Sequence, residues 1–262
     1  MIPSSSRSLL TRSDVIGLVA ACLVLLGVWA VCSYLIGVPE YLLPSPASVV
    51  ARAIQENARL ALDFGVTGAE ALAGFLISSV LSLILAVYMI MRADSDRYLM
   101  PMLVVIKSVP IVALAPLIGY WFGYGNSGKI FMASLISFFP LVVSAVAGMR
   151  SVSREQLDFF RVMDASRWEE VTKLRLPKAM PNIFSAMRIA APLAVVGAIV
   201  AEMLGARAGL GYTIAVSSMT LDIPLNFAAM LLSGLLGIVA FYVILICERF
   251  VLRRLRLSTE PI

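Results

Sequence analysis

Six stretches of the chain are apolar for long enough to cross a bilayer, at about residues 15–36, 66–91, 99–121, 129–149, 185–205 and 228–250. A helical span needs roughly 17 to 25 such residues. Polar and charged residues collect in the connections and in one longer segment, 150–184. The pattern predicts an all-α, polytopic membrane protein with about six transmembrane helices, a single domain over residues 1–262 and both termini on one side. Arg7 and Arg12 precede the first run as they would precede a secretory signal. That run is too long for a signal core and has no small-x-small cleavage site before Pro39, so it reads as a retained span.

Small residues recur at four-residue spacing, Gly74, Ser78, Ser82 and Ala86 in the second span and Gly197, Ala201 and Gly205 in the fifth. Such stripes let helix backbones approach closely in lipid, which favours bundle packing over substrate lining. Pro110, Pro116, Pro140 and Pro192 interrupt the third, fourth and fifth spans, where kinked or locally opened helices are expected. Ser45-Pro46 supplies an N-cap and a first-turn proline, predicting a short helix over 46–60 outside the membrane, a lid or docking element.

Basic residues assign the sides. Arg7, Arg12, Arg92, Arg97, the cluster Arg150, Arg154, Arg161, Arg167, Lys173, Arg175, Lys178 and Arg188, and Arg253, Arg254 and Arg256 fall on one side. Only Arg52, Arg59 and Arg207 fall on the other, so the first group is placed in the cytoplasm. Aromatic belts at the outer ends agree, with Trp29, Tyr34 and Tyr41 near the first span and Tyr120, Trp121, Phe122 and Tyr124 after the third. Composition narrows the class further. At 60% hydrophobic and 14% charged residues, the chain has more apolar surface than a soluble fold of 262 residues hides. The net charge of +5 follows from topology, and no aromatic-basic motif accompanies it, so no nucleic-acid partner is expected. There is no histidine, and Cys22, Cys32 and Cys247 are scattered among apolar runs, which supports neither a metal site nor a disulfide framework.

The segment 150–184 is not a passive connector. Ser153 with Gln156 and Ser166 with Glu169 each fit the capping-box rule, predicting short helices at about 154–163 and 167–175, closed by Leu176-Pro177 and by Pro181. Leu157, Phe160 and Met163 give the first an apolar face. An exposed apolar face on a cytoplasmic helix needs a partner.

Here the chain resembles the permease subunits of binding-protein-dependent ABC importers. Asp158-Phe159-Phe160 takes the place of that family's Glu-Ala-Ala, Asp164-Ala165-Ser166 that of its Gly-Ala-Ser, and Leu174-Arg175-Leu176-Pro177 that of its closing apolar-x-Leu-Pro. Leu43-Pro44-Ser45-Pro46, the run Ser108 to Leu117, Trp121-Phe122-Gly123, Ala201-Glu202-Met203 and Gly209-Leu210-Gly211-Tyr212 resemble the branch serving sulfonates, taurine, nitrate and thiamine-precursor pyrimidines.

The resemblance implies a MetI-like permease fold and an ATPase-coupling loop carried by Asp158, Phe159, Phe160, Met163, Asp164, Ala165, Ser166, Leu176 and Pro177. It also implies a bacterial inner membrane location, a homodimer with a second permease copy, two ATPase subunits that hold ATP and Mg, and an extracytoplasmic solute-binding protein. No cofactor is implied on this chain. Two departures matter. Asp164 stands where the family has a glycine with left-handed backbone, and Phe159 and Phe160 are bulkier than two alanines, implying an altered groove on the partner.

Gly123 to Lys129 has the spacing of a phosphate-binding loop, but Ile130 replaces its Ser/Thr and no strand precedes it, so it reads as a glycine-rich external turn. Among pathway or gate candidates, Lys107 either attracts an anionic substrate or snorkels to the inner surface. Glu202 serves as a gate or packing element or pairs with Arg207. Pro110 and Pro116 are the other two, as breaks in the third helix. No nucleophile and base stand together, so the chain is expected not to be an enzyme. A stand-alone secondary transporter or channel would need buried acidic residues in several spans, and apart from Glu202 few stand out. A membrane scaffold would not need the capped loop.

Overall fold

The computed structural model describes residues 12–35, 38–92, 95–123 and 125–254. Arg7, Ile36, Tyr124 and Arg256, and the side chains of Arg12 and Cys22, lie outside the described residues. All regular structure among those described is helical: α1 (Arg12–Tyr34), α2 (Pro46–Gln55), α3 (Asn57–Met91), α4 (Asp96–Ser108), α5 (Ile111–Phe122), α6 (Asn126–Arg150), α7 (Arg154–Val162), α8 (Arg167–Glu169), a π-helical turn (Glu170–Arg175), α9 (Leu176–Glu202), α10 (Leu210–Met219) and α11 (Ile223–Arg254). Four helices among the described residues are long and apolar enough to cross a membrane, and α4 with α5 makes a fifth if the bent pair counts as one.

The core is built from α3, α6 and α9, with α11 packed against α9. Small residues bring the first three together. At Gly74 a Cβ would collide with Ala133 and come within 2.9 Å of the Ser134 amide, so only glycine permits this crossing of α3 and α6. The Ser134 hydroxyl donates to the Gly74 carbonyl (3.0 Å), and the Ser78 and Ser137 hydroxyls lie 2.8 Å apart. Gly74, Ser78, Ser82 and Ala86 are all buried in this packing.

Five expectations need correction. The run 99–121 is not one helix: α4 and α5 meet at an angle of 100°. Pro110 has no N–H to extend the ladder and holds Val109 extended (ψ 128°), which ends α4 at Ser108 and starts a new helix. Pro116, Pro140 and Pro192 lie inside continuous helices and break none of them.

The external helix begins as expected, with the Ser48 amide donating to the Ser45 hydroxyl (3.1 Å), but ends at Gln55. Residues from Asn57 onward belong to the 35-residue α3.

The second short helix of the segment 150–184 does not close at Leu176-Pro177. It runs on as one 36-residue helix, Arg167–Glu202. Ahead of the proline the ladder switches to a wider register, the Leu176 amide donating to the Val171 carbonyl, so the missing Pro177 donor falls where the pattern is already displaced. Finally, the fifth apolar run ends its helix at Glu202, and Gly205 lies in the loop that follows.

Candidate functional site

Two groups of residues stand out, one at each end of the long helix Arg167–Glu202. At its beginning is the handle predicted from the capping boxes, and both boxes form. The Gln156 amide donates to the Ser153 hydroxyl (3.4 Å) while the Ser153 amide donates to Gln156 Oε1 (3.3 Å). Ser166 and Glu169 repeat this at 3.2 and 3.1 Å. The Lys173 ammonium, with the Ser166 amide and hydroxyl, holds the Glu169 carboxyl down at about 2, so the cap stays ionised. This residue lies in the polar first turn, outside the apolar part of the helix.

Between the helices Asp164 adopts φ +49°, the left-handed conformation that the family's glycine would supply. Asp164→Gly is therefore expected to leave stability within about 1 kcal/mol of the parent, whereas a β-branched Asp164→Val should cost about 2 kcal/mol. Thermal unfolding of the two variants checks this.

The handle is tied to the bundle. Arg167 donates to the Met91 carbonyl at the end of α3 (3.1 Å), and Arg175 donates to the Met149 carbonyl near the end of α6 (3.0 Å) while pairing with Glu170 (2.6 Å). Lys178 reaches Gln156 on α7 (2.6 Å). The apolar face differs from the expected one. Leu157 and Phe160 are half-buried, while Phe159, Val162, Met163 and Trp168 are 61%, 87%, 65% and 58% exposed. Asp158 is exposed and pairs with Arg161 (2.9 Å). Ala165 donates to the Phe160 carbonyl, closing the turn, and Leu176 packs on the core formed by α3, α4, α6 and α9.

At the other end of the helix, Glu202 is 1% exposed and does not pair with Arg207, which is exposed. It serves the N-terminus of α10 instead. The Gly211 amide donates to Glu202 Oε2 (2.7 Å), the Leu210 amide to the Thr67 hydroxyl (2.8 Å), and the Gly209 amide to Asp63 Oδ1 (2.8 Å). Thr67 in turn donates to Glu202 Oε1 (2.7 Å), and Thr213 donates to Asp63 Oδ2 (2.6 Å). Three amides that α10 itself leaves unpaired are thus satisfied by side chains of α3 and α9, with negative charge at the positive end of the helix dipole. Gly209 is held at φ +112°, and a Cβ there would overlap the Glu202 carboxylate. The carboxylate thus accounts for the glycines around Leu210.

Glu70, one turn beyond Thr67, is buried and ion-paired with Lys129 of α6. The lysine of the apparent phosphate-loop spacing is therefore engaged inside the bundle. Asp63, Glu70 and Glu248 join Glu202 as buried acids, correcting the expectation that few stand in the spans. Their signal was available: Asp63, Thr67 and Glu70 fall at i, i+4 and i+7, on one helix face. Lys107 and Pro116 are exposed, and Pro110 is exposed at the break between α4 and α5. The structure does not bring these three to Glu202.

The model of the binding-protein-dependent transport system inner membrane component covers residues 46–257. The chain belongs to this family. It is a permease subunit of an ABC importer, an inner-membrane transport component and not an enzyme, and such permeases work with an ATPase, which binds the ATP, and a binding protein.

Among its relatives, the permease is 36% identical to the formylaminopyrimidine transport permease protein ThiX of Halalkalibacterium halodurans, over 88% of this chain and 92% of that one. It is 33% identical to the riboflavin transport system permease protein RibX of Chloroflexus aurantiacus, over 91% and 90%. It is 30% identical to the putative aliphatic sulfonates transport permease protein SsuC of Bacillus subtilis, over 73% and 70%. The fold is shared with a chain of the methionine ABC transporter MetNI in an inward-facing conformation, with a TM-score of 0.56 and 17% identity over 76% of this chain and 94% of that one.

Proposed function

We propose that this permease works as a homodimer of six-span subunits, α1 supplying the first crossing, with both termini and the handle in the cytoplasm and two ATPase subunits seated on the handles. The observation that carries this is the unbroken helix from Arg167 to Glu202. Its 36 residues rise about 1.5 Å each, so a rigid-body displacement of the handle reaches the far end without a hinge. Arg167 and Arg175 extend the same displacement to α3 and α6. ATP-driven closure of the ATPases would then swing the bundle between inward-open and outward-open states around a passage between the two copies, with lipid covering the outward apolar faces.

The solute is a small nitrogen heterocycle of the thiamine-precursor pyrimidine kind, delivered by an extracytoplasmic binding protein. The similarity to the formylaminopyrimidine permease over most of both chains supports this, as does that to the riboflavin permease. The sulfonate permease supports a second reading in which the solute is an aliphatic sulfonate, with taurine and nitrate as related anions. Reconstitution with the co-purifying ATPase and binding protein tests both. ATP-dependent uptake of a labelled aminopyrimidine, uncompeted by sulfonates, taurine or nitrate, is the expected result. Uptake of the sulfonate alone would overturn the pyrimidine assignment, and uptake without ATP would overturn the importer mechanism.

A further inference from the structure

The ion pair between Glu70 and Lys129 leaves Glu70 incompletely satisfied. Its Oε2 is buried and receives no hydrogen bond, although the residue is only 3% exposed. A carboxylate oxygen deprived of both water and donor is costly.

Its surroundings supply the missing partner. The Glu70 carboxyl stands against that of Glu202. Helix geometry agrees, because Thr67, one turn away on the same face of α3, is bonded to Glu202. Lys129 lines the same small cavity as Ala201, Gly205 and Ala206, all within four positions of Glu202 in sequence. Two buried carboxyl groups in contact cannot both be ionised without strong repulsion, whereas one proton between them converts the repulsion into a short charged hydrogen bond.

The charges around the pair call for the same proton. From α3 come Asp63, bonded to two donors and 3.8 Å from Arg59, and Arg59 itself. From α6 comes Lys129, and from α10 Tyr212, whose ring lies under Arg59. Arg207, in the loop, is exposed. One buried cation, Lys129, and the partly exposed Arg59 at the edge of the cluster thus face three buried carboxyls, Asp63, Glu70 and Glu202. One bound proton balances them.

We propose that Glu70 and Glu202 bind a single proton between them, forming a buried proton site at the end of the bundle remote from the handle. Since Glu202 also holds the Gly211 amide, the proton keeps α3, α9 and the start of α10 together, and its release places a second negative charge inside the clamp. This site goes beyond the transport assignment and does not depend on the solute.

Infrared spectroscopy of the full chain in lipid nanodiscs tests it. At neutral pH the carbonyl stretch of a buried protonated carboxylic acid is expected, shifted by isotopically labelled glutamate. It should be lost in Glu70→Gln, lost equally in Glu202→Gln, and retained in Glu248→Gln. Either of the first two variants suffices if the other does not fold. A wild-type spectrum without the band, a band that survives in whichever of the two folds, or one that disappears only with Glu248→Gln would overturn the proposal.

Discussion

Glu202→Ala is expected to destabilise the permease by about 3 kcal/mol, because it strips acceptors from two buried donors and leaves a void beside them. The Gly211 amide and the Thr67 hydroxyl both point at this carboxylate, which is 1% exposed, so water does not replace it. Glu202→Gln keeps an acceptor oxygen of the same reach and should cost less than half as much. Gly209→Ala should also cost about 3 kcal/mol, for a different reason: its φ of +112° strains any L side chain, and the new methyl overlaps the Glu202 carboxylate. The double variant separates the two causes. Removing the Glu202 side chain makes room for the methyl introduced at position 209, so the combined loss should be smaller than the sum of the single losses. Thermal unfolding in detergent and in nanodiscs measures all four. A loss below about 1 kcal/mol for Glu202→Ala would mean that α10 is held by something other than these carboxylates.

How legible this cluster was depends on sequence distance. The capping boxes at Ser153 and Ser166 could be read because both partners lie three residues apart. The left-handed turn at Asp164 was readable through the glycine expected there. The break at Pro110 was signalled by the proline, though its 100° angle was not, since a proline sets where a helix stops and packing sets where the next one goes. The π-helical turn could not be foreseen. Arg175, its last residue, reaches the Met149 carbonyl, 26 positions away in sequence, a contact that no local pattern announces.

The carboxylate cluster was hidden for two reasons. The face carrying Asp63, Thr67 and Glu70 straddled the assumed boundary at residue 66, which split one helix into a connection and a span. Its partners at Glu202, Gly209 and Thr213 are more than 130 positions away. Pairing Glu202 with Arg207 was the local choice, and tertiary structure overrode it.

The second large effect lies at the handle. Phe159→Asp combined with Met163→Asp should abolish productive ATPase association, with at least a hundredfold weaker binding, while the chain still inserts and unfolds as the parent does. Two well-seated anchors contribute about 2 kcal/mol each, and about 1.4 kcal/mol corresponds to tenfold in affinity. Stability is spared because both side chains point away from the bundle, at 61% and 65% exposed.

Phe160 and Leu157 provide the contrast. They are half-buried, and replacing them should disturb the handle itself, lowering stability as well as coupling. The two pairs therefore separate grip from rigidity. If the exposed pair were mutated and solute-stimulated ATP hydrolysis stayed at its parental rate, the ATPase could not be gripping this face. The 36-residue helix beyond it would then have no driver at its handle end.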